Sequence, residues 1–327
     1  MTGLLLSNLG TPDQASPRAV RRYLREFLSD GRVLDLNRLG RWALVNLVIL
    51  PWRTRTSTEA YRKIWSELGS PLLVHSQALA LAVQQKLGSG WAVALGMRYQ
   101  SPSLGSALAQ LRAAGADRVV VFPLYPQYAA ATTGSTVAEV LRLARRPWAP
   151  PSLDFVDSFY DRPSFIRALA AQGEAYVSGQ RPDHVLFSFH GLPERHLQRT
   201  ADADGSDRRC YRTQCYATAR ALAAEFNLTE AGFSVAFQSR LGRTRWLEPH
   251  TDRRLAELAG QGCRRLVVFC PSFVADCLET LEEIGIRGRQ QFLAAGGKEL
   301  VLVPCLNASS VWVDAVVGLA REHADRA

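Results

Sequence analysis

Short apolar runs alternate along this chain with longer stretches whose apolar residues recur at helical spacing. Gly3-Leu4-Leu5-Leu6-Ser7, Val119-Val120-Val121-Phe122 and Leu266-Val267-Val268-Phe269 are brief, aliphatic and unbroken by charge, as strands buried on both faces are. Between such runs, 104–114, 216–226 and 251–261 read as amphipathic helices. Strands alternating with helices predict βαβ units and a parallel sheet, hence an α/β fold. A last amphipathic stretch, Ser309 to His323, predicts a terminal helix.

The pattern occurs twice. Arg98-Tyr99-Gln100-Ser101-Pro102 returns as Arg245-Trp246-Leu247-Glu248-Pro249, and at the same offset Leu108 and Leu111 match Leu255 and Leu258. Gly115 to Phe122 matches Gly262 to Phe269, and Leu6 to Pro12 resembles Phe187 to Pro193. Each copy reads as helix, glycine stop and buried strand. The chain therefore predicts two tandem doubly wound domains, 1–150 and 151–308, with a joint near Pro147-Trp148-Ala149-Pro150-Pro151. Residues 309–327 form a C-terminal helix that could cross back to the first domain. Gly10-Thr11-Pro12 and Gly191-Leu192-Pro193 lack the remaining glycines of a dinucleotide fingerprint, which disfavours a nicotinamide enzyme. A cleft between two such domains is the usual place for a small-molecule site.

The copies differ where chemistry would sit. His190 stands where the first copy has Leu9. After its last matched strand the second copy continues as Phe273-Val274-Ala275-Asp276-Cys277-Leu278-Glu279-Thr280-Leu281-Glu282-Glu283. An α-helical spacing puts Val274, Leu278 and Leu281 on one side and Asp276, Glu279 and Glu283 on the other. Acids favoured by a helix N-terminus explain such a face without function. From Leu266 to Ile286, however, there is no Lys, Arg or His, whereas solvated faces mix signs. Both differences fall at strand C-terminal ends, where open α/β sheets bind ligands. A histidine facing carboxylates can take protons or hold a divalent metal loosely. Hydrolysis by a metal-bound water fits the same residues, so spacing leaves the reaction open.

Composition adds bounds. The 327 residues, 47% hydrophobic and 21% charged, suit an ordinary globular protein of two domains. The chain enters its first strand with no signal-like segment, so a cytoplasmic protein is expected. Trp42 to Trp52 is too short to span a bilayer and is interrupted by Asn46. It reads by default as a core helix, with an apolar lip touching a membrane surface as the alternative. The formal charge of +9 comes from scattered arginines, among them Arg240, Arg243 and Arg245, without the basic and aromatic interleaving of a nucleic-acid surface. Six cysteines in an unsecreted chain do not predict disulfides. Cys210 and Cys215 alone are a weak metal signal.

Several segments together carry a resemblance. Asn8-Leu9-Gly10-Thr11-Pro12, Ile64 to Leu72, Tyr125-Pro126-Gln127-Tyr128, Ser188-Phe189-His190-Gly191-Leu192-Pro193, Trp246-Leu247-Glu248-Pro249 and Phe273 to Leu281 resemble the ferrochelatases, in order and over nearly the whole chain. The likeness is greatest to the Gram-negative bacterial branch that uses protoporphyrin IX. It implies two Rossmann-like domains around a porphyrin cleft and insertion of Fe²⁺ into the ring. It places His190 and Glu279 at the metal, with Asp276 and Glu283 leading away from it. Trp246, Tyr125 and Leu9 would wall the ring. Arg98 or Arg240 could pair with propionates, with a structural salt bridge as an equal alternative for either. Cys277 departs from relatives that carry histidine there.

The implied partners are a porphyrin and Fe²⁺, with peripheral membrane contact and no nucleic acid; the oligomeric state is unassigned. No tightly bound cofactor is expected. A [2Fe-2S] cluster is not expected either, because Thr200 to Arg209 brings no cysteine and four thiolates are the usual requirement. A chelatase for coproporphyrin III or another tetrapyrrole, and a non-catalytic haem or porphyrin carrier, are the alternatives.

Overall fold

A computed structural model of the chain describes residues 1–145, 147–200, 209–242 and 244–325. By internal contacts the chain forms two compact units, the first of Met1–Tyr125, Ala129–Ser158 and Ala308–Ala327, the second of Pro126–Tyr128 and Phe159–Asn307.

Unit 1 is built on a four-stranded parallel sheet of β1 (Thr2–Gly10), β2 (Trp91–Tyr99), β3 (Arg118–Pro123) and β4 (Ser152–Phe155), in the order β2-β1-β3-β4. Unit 2 repeats it with β5 (His184–His190), β6 (Phe233–Gln238), β7 (Arg265–Phe269) and β8 (Glu299–Leu302), in the order β6-β5-β7-β8. The central strands are buried on both faces: Leu4, Leu5 and Leu6 are fully buried, as are Leu186, Phe187 and Phe189. Each such side chain contributes about 1.5–3 kcal/mol when taken out of water. The helices read from sequence are Leu104–Ala113, Tyr211–Glu225 and Thr251–Gly260. Leu111 and Leu258, matched in the repeat, lie in corresponding cores beside Val121 and Val268. The terminal helix Ser310–Asp325 packs on β3, β4 and the helix Pro71–Leu87 of unit 1.

Both units turn from their third strand into a π-helix, Ala130–Gly134 in unit 1 and Leu278–Gly288 in unit 2. The i→i+5 bonding of such helices is rare and often marks functional sites. A third π-helix, Leu44–Ile49, joins Arg38–Ala43 to Leu50–Ile64. This corrects the core-helix reading of 42–52. Only Val45 and Leu50 of the run are buried, while Leu39, Trp42, Leu47, Val48 and Trp52 stand exposed, Leu39 at 83% and Trp52 at 79%. Among the described residues no helix is long and apolar enough to cross a membrane.

The repeat has one register that sequence matching misplaces. Met97 N–H donates to Pro102 O at 2.6 Å, and Phe237 N–H donates to Pro249 O at 2.8 Å, so the prolines correspond. The arginines do not. Arg98 lies between Met97 and Tyr99, which pair with Asn8 and Gly10, whereas its place beside the matched strand in unit 2 is held by Gln238. A longer segment between Gln238 and Pro249 carries Arg245 away.

Candidate functional site

His190 is the last residue of β5 and pairs in register with Gln238, the last residue of β6. Its backbone is pinned: its N–H donates to Ser272 Oγ at 3.3 Å, and the Tyr211 hydroxyl donates to its carbonyl at 2.8 Å. Burial holds the Tyr211 phenol well above its ordinary pKa, so it stays a donor. His190 Nδ1 lies 2.6 Å from Gly191 O. A carbonyl only accepts, so Nδ1 carries the proton, and in the neutral ring Nε2 keeps its lone pair. The ring meets Phe273 edge-on, with centroids 6.1 Å apart.

Gly191 is required by close approach. A Cβ there would stand 2.7 Å from Gln238 O and 3.3 Å from the Trp246 ring. Trp246 is thereby held over the turn that follows His190, its Nε1 donating to Leu241 O at 2.8 Å.

The acidic segment differs from its α-helical prediction. Helix begins only at Leu278, it is π-helical, and its buried residues are Thr280, Glu282, Ile284 and Gly288. Asp276 therefore does not share a helix face with Glu279 and Glu283. It is buried and accepts from Asn307 Nδ2 at 2.8 Å, Cys305 N at 3.2 Å and Thr280 Oγ1 at 3.2 Å. Its own N–H donates to Asn307 Oδ1 at 2.9 Å. That carboxylate clamps the loop before the π-helix to the segment after β8.

Cys277 caps the π-helix, its thiol accepting from the Thr280 backbone while its own N–H donates to Thr280 Oγ1 at 3.0 Å. Burial, and then the neighbouring Glu279, push this thiol well above the ordinary range, so it remains neutral. Glu279 follows in the first turn, half-buried. Glu283, one turn on, is firmly held. Ser239 N–H donates to its Oε1 at 2.8 Å and Ser239 Oγ to its Oε2 at 2.5 Å. Arg287 Nη2 stands 3.9 Å from Oε1 on the outer side.

The structure thus gathers His190, Trp246, Glu279 and Glu283 at the strand ends of unit 2. Gln238 and Ser239 belong with them and were not foreseen. The one available signal was that the apolar run Phe233 to Phe237 ends at Gln238-Ser239, and the Arg98–Arg245 match obscured it. In unit 1, Leu9, next to last in β1, is half-buried, and Tyr125 is buried, with burial raising its phenol pKa. Arg98 is committed internally, 2.7 Å from Asp30 Oδ2 and 2.7 Å from Ser135 Oγ, so a propionate would have to compete with Asp30. Arg240 pairs at the surface with Asp252 at 2.8 Å.

Among the described residues no three His, Cys, Asp or Glu side chains stand close enough to hold a metal ion. Cys210 is half-exposed, and the other five cysteines are buried. Burial pushes the Cys215, Cys270 and Cys305 thiols up, so these side chains are neutral. Of the segment after the histidine motif, 201–208 lie outside the described residues.

The tandem doubly wound fold is shared with solved structures of chelatases. SirB from Bacillus subtilis, solved with Fe³⁺, aligns over 99% of this chain and 96% of its own with a TM-score of 0.56 at 12% identity. CbiX, described as the terminal enzyme for biosynthesis of sirohaem in denitrifying bacteria, aligns over 98% and 99% with a TM-score of 0.52 at 13% identity. These likenesses are of fold. Sequence goes further. The ferrochelatase family model matches residues 1–324. Proteins named ferrochelatase from Coxiella burnetii (strain Dugway 5J108-111) and Legionella pneumophila (strain Lens) are each 45% identical over 98% of this chain, covering 93% and 99% of their own lengths. The chain belongs to the ferrochelatase family and is an enzyme of metal chelation, a lyase.

Proposed function

We propose that the protein inserts Fe²⁺ into protoporphyrin IX, releasing the two pyrrole protons, with His190 and Glu279 as the groups that meet the reacting centre. The observation that carries this reading is the protonated Nδ1 of His190, fixed on Gly191 O at 2.6 Å, which leaves Nε2 as an open base. Nε2 takes a pyrrole proton or binds the incoming iron. Glu279 supplies an anion of low specificity for metal, suited to iron that must move on. Glu283, held by Ser239, passes protons outward. Asp276, expected in that relay, is assigned instead to holding the loop. Trp246, Leu9 and Tyr125 are proposed ring contacts, testable through the porphyrin KM.

The test is anaerobic Fe²⁺ insertion with protoporphyrin IX and coproporphyrin III in parallel. Faster metallation of protoporphyrin supports the proposal. Turnover of coproporphyrin alone moves the substrate assignment, and porphyrin binding without metallation by either route makes the protein a carrier. We further propose that no [2Fe-2S] cluster is bound. Anaerobically purified protein should lack visible iron–sulfur absorption, and a cluster signal lost on Cys210→Ser would reverse this.

The exposed Leu39, Trp42, Leu47, Val48 and Trp52 lie among Arg38, Arg41, Arg53 and Arg55. An apolar face rimmed by arginines suits peripheral contact with an anionic bilayer from the cytoplasmic side. Cosedimentation with vesicles containing phosphatidylglycerol should fall on Trp42→Ser/Trp52→Ser; unchanged binding would remove this surface from consideration.

A further inference from the structure

Gln238 joins more elements of the site than any residue expected from sequence. It is 3% exposed, and every polar group of its side chain is used. Its carbonyl accepts the Gly191 N–H at 2.8 Å, one residue beyond His190. Its Oε1 accepts from Ser188 Oγ at 2.8 Å and from the Cys270 thiol at 3.6 Å. Its Nε2 donates to Glu279 O at 2.7 Å and reaches Glu283 Oε2 at 3.5 Å. The amide orientation is set by these neighbours, with donors facing Oε1 and acceptors facing Nε2. One side chain therefore ties β5, the end of β7 and the π-helix to the strand beside His190.

A buried amide of this kind could serve the fold alone. Two observations weigh against that. Its bonds end on Glu279 and Glu283 themselves. And the scaffold tolerates a different residue in that place, since unit 1 holds Arg98 there, turned to Asp30 and Ser135.

We infer that Gln238 is a positioning residue for metal insertion, fixing Glu279 and Glu283 at a set separation from His190 without itself touching porphyrin or iron. The inference rests on the proposed function. The groups facing it are Glu279 and Glu283 on the π-helix, Cys270 beyond β7 and His190 on β5. Arg287 lies on the outer side of Glu283, and Asp276 lies behind Cys270.

Two variants separate positioning from packing. Gln238→Met keeps length and apolar bulk but removes the bonds. It should lower kcat by about tenfold or more, as misplacement of a reacting group by a fraction of an ångström does, with porphyrin KM nearly unchanged. Gln238→Glu keeps Oε1 but turns a negative charge on Glu279 O and the Glu283 carboxylate. Like charges raise a shared pKa, so the acid limb of the rate profile should move up by about one pH unit, which a packing role would not cause. Variants that are merely less stable, with wild-type kcat and an unmoved profile, would overturn the inference. If Gln238→Met does not fold, Ser188→Ala removes the hydroxyl that orients the amide. A severalfold drop in kcat then supports positioning, and an unchanged kcat refutes it. Wild-type protein is run beside them, because failure of the wild type to metallate any porphyrin would instead sink the proposed function.

Discussion

Leu9 and His190 stand at the ends of the central strands of two sheets with the same strand order, and the side chains around them have diverged in charge. Each is followed by a glycine that lets two chains touch. A Cβ on Gly10, whose φ is 113°, would lie 2.0 Å from Tyr99 O, and one on Gly191 would lie 2.7 Å from Gln238 O. Each sheet then feeds a π-helix. In unit 1 the neighbouring strand offers Arg98, which is neutralised by Asp30 at 2.7 Å. In unit 2 it offers the neutral Gln238, and the π-helix offers Glu279 and Glu283 with a single cation, Arg287, at its outer end. Two copies of one scaffold thus hold the same position and surround it with different charge. Unit 1 closes its ion pair on itself, whereas unit 2 sets the His190 ring beside a segment rich in carboxylates, of which Glu283 is held by Ser239.

That contrast breaks most sharply at Glu279. Glu279→Gln removes an anion without removing bulk, and an amide neither accepts a proton nor balances Fe²⁺. Fe²⁺ insertion should fall about 10³-fold, equivalent to about 4 kcal/mol of barrier. Circular dichroism should be unchanged, since the buried Thr280 and Ile284 are untouched.

The matching experiment in unit 1 should affect stability instead. Asp30→Asn strands the Arg98 charge and should cost about 3 kcal/mol in denaturant unfolding, while metallation per folded molecule stays the same. Burial by itself would raise the Asp30 pKa. The hydrogen bonds from Ser135 and the Arg32 backbone, the Arg98 charge and the Tyr99 hydroxyl together hold it below its ordinary 3.8. Its contribution is therefore complete above that value and lost as pH falls through the lower folded value. Wild type should lose more stability in that acid range than Asp30→Asn does. A large loss of turnover in this variant would mean that unit 1 carries part of the chemistry.

Asp276→Asn sharpens the boundary within unit 2. The amide nitrogen must face either Asn307 Nδ2 or Cys305 N, so one donor meets another donor, at about 2 kcal/mol of stability. Metallation per folded protein should survive; a fall like that of Glu279→Gln would restore Asp276 to the relay. The smallest effect is expected at Glu283→Gln, about tenfold in rate, because Ser239 still orients the side chain and water partly replaces the carboxylate. A larger loss there than at Glu279 would shift the metal position outward.

Much of this was legible in the chain. Strand runs such as Leu266 to Phe269 and the repeat of Leu111 as Leu258 needed only periodicity, because a parallel sheet buried on both faces leaves an unbroken apolar signature. His190 stood out by its contrast with Leu9. The acidic segment was legible in composition but not in geometry. The π-helix does not follow the α-helical spacing, so α-periodicity grouped Asp276 with Glu279 and missed that it precedes the helix. Gln238 was illegible for another reason. Its role comes from register with His190, and the shared Arg and Pro of the two repeats pointed to a pairing that the longer loop of unit 2 does not keep. The apolar run 42–52 was misread because hydropathy does not tell an exposed apolar face from a buried one.

The open nitrogen of His190 is expected to perform the reaction. Anaerobic Fe²⁺ insertion into protoporphyrin IX by His190→Ala, with porphyrin binding followed by fluorescence in the same samples, tests it directly. The ring end is half-buried and its backbone is held by Ser272 and Tyr211, so the variant should fold and bind porphyrin. Binding should stay close to wild type while metallation falls to background; metallation near the wild-type rate would remove His190 from the chemistry.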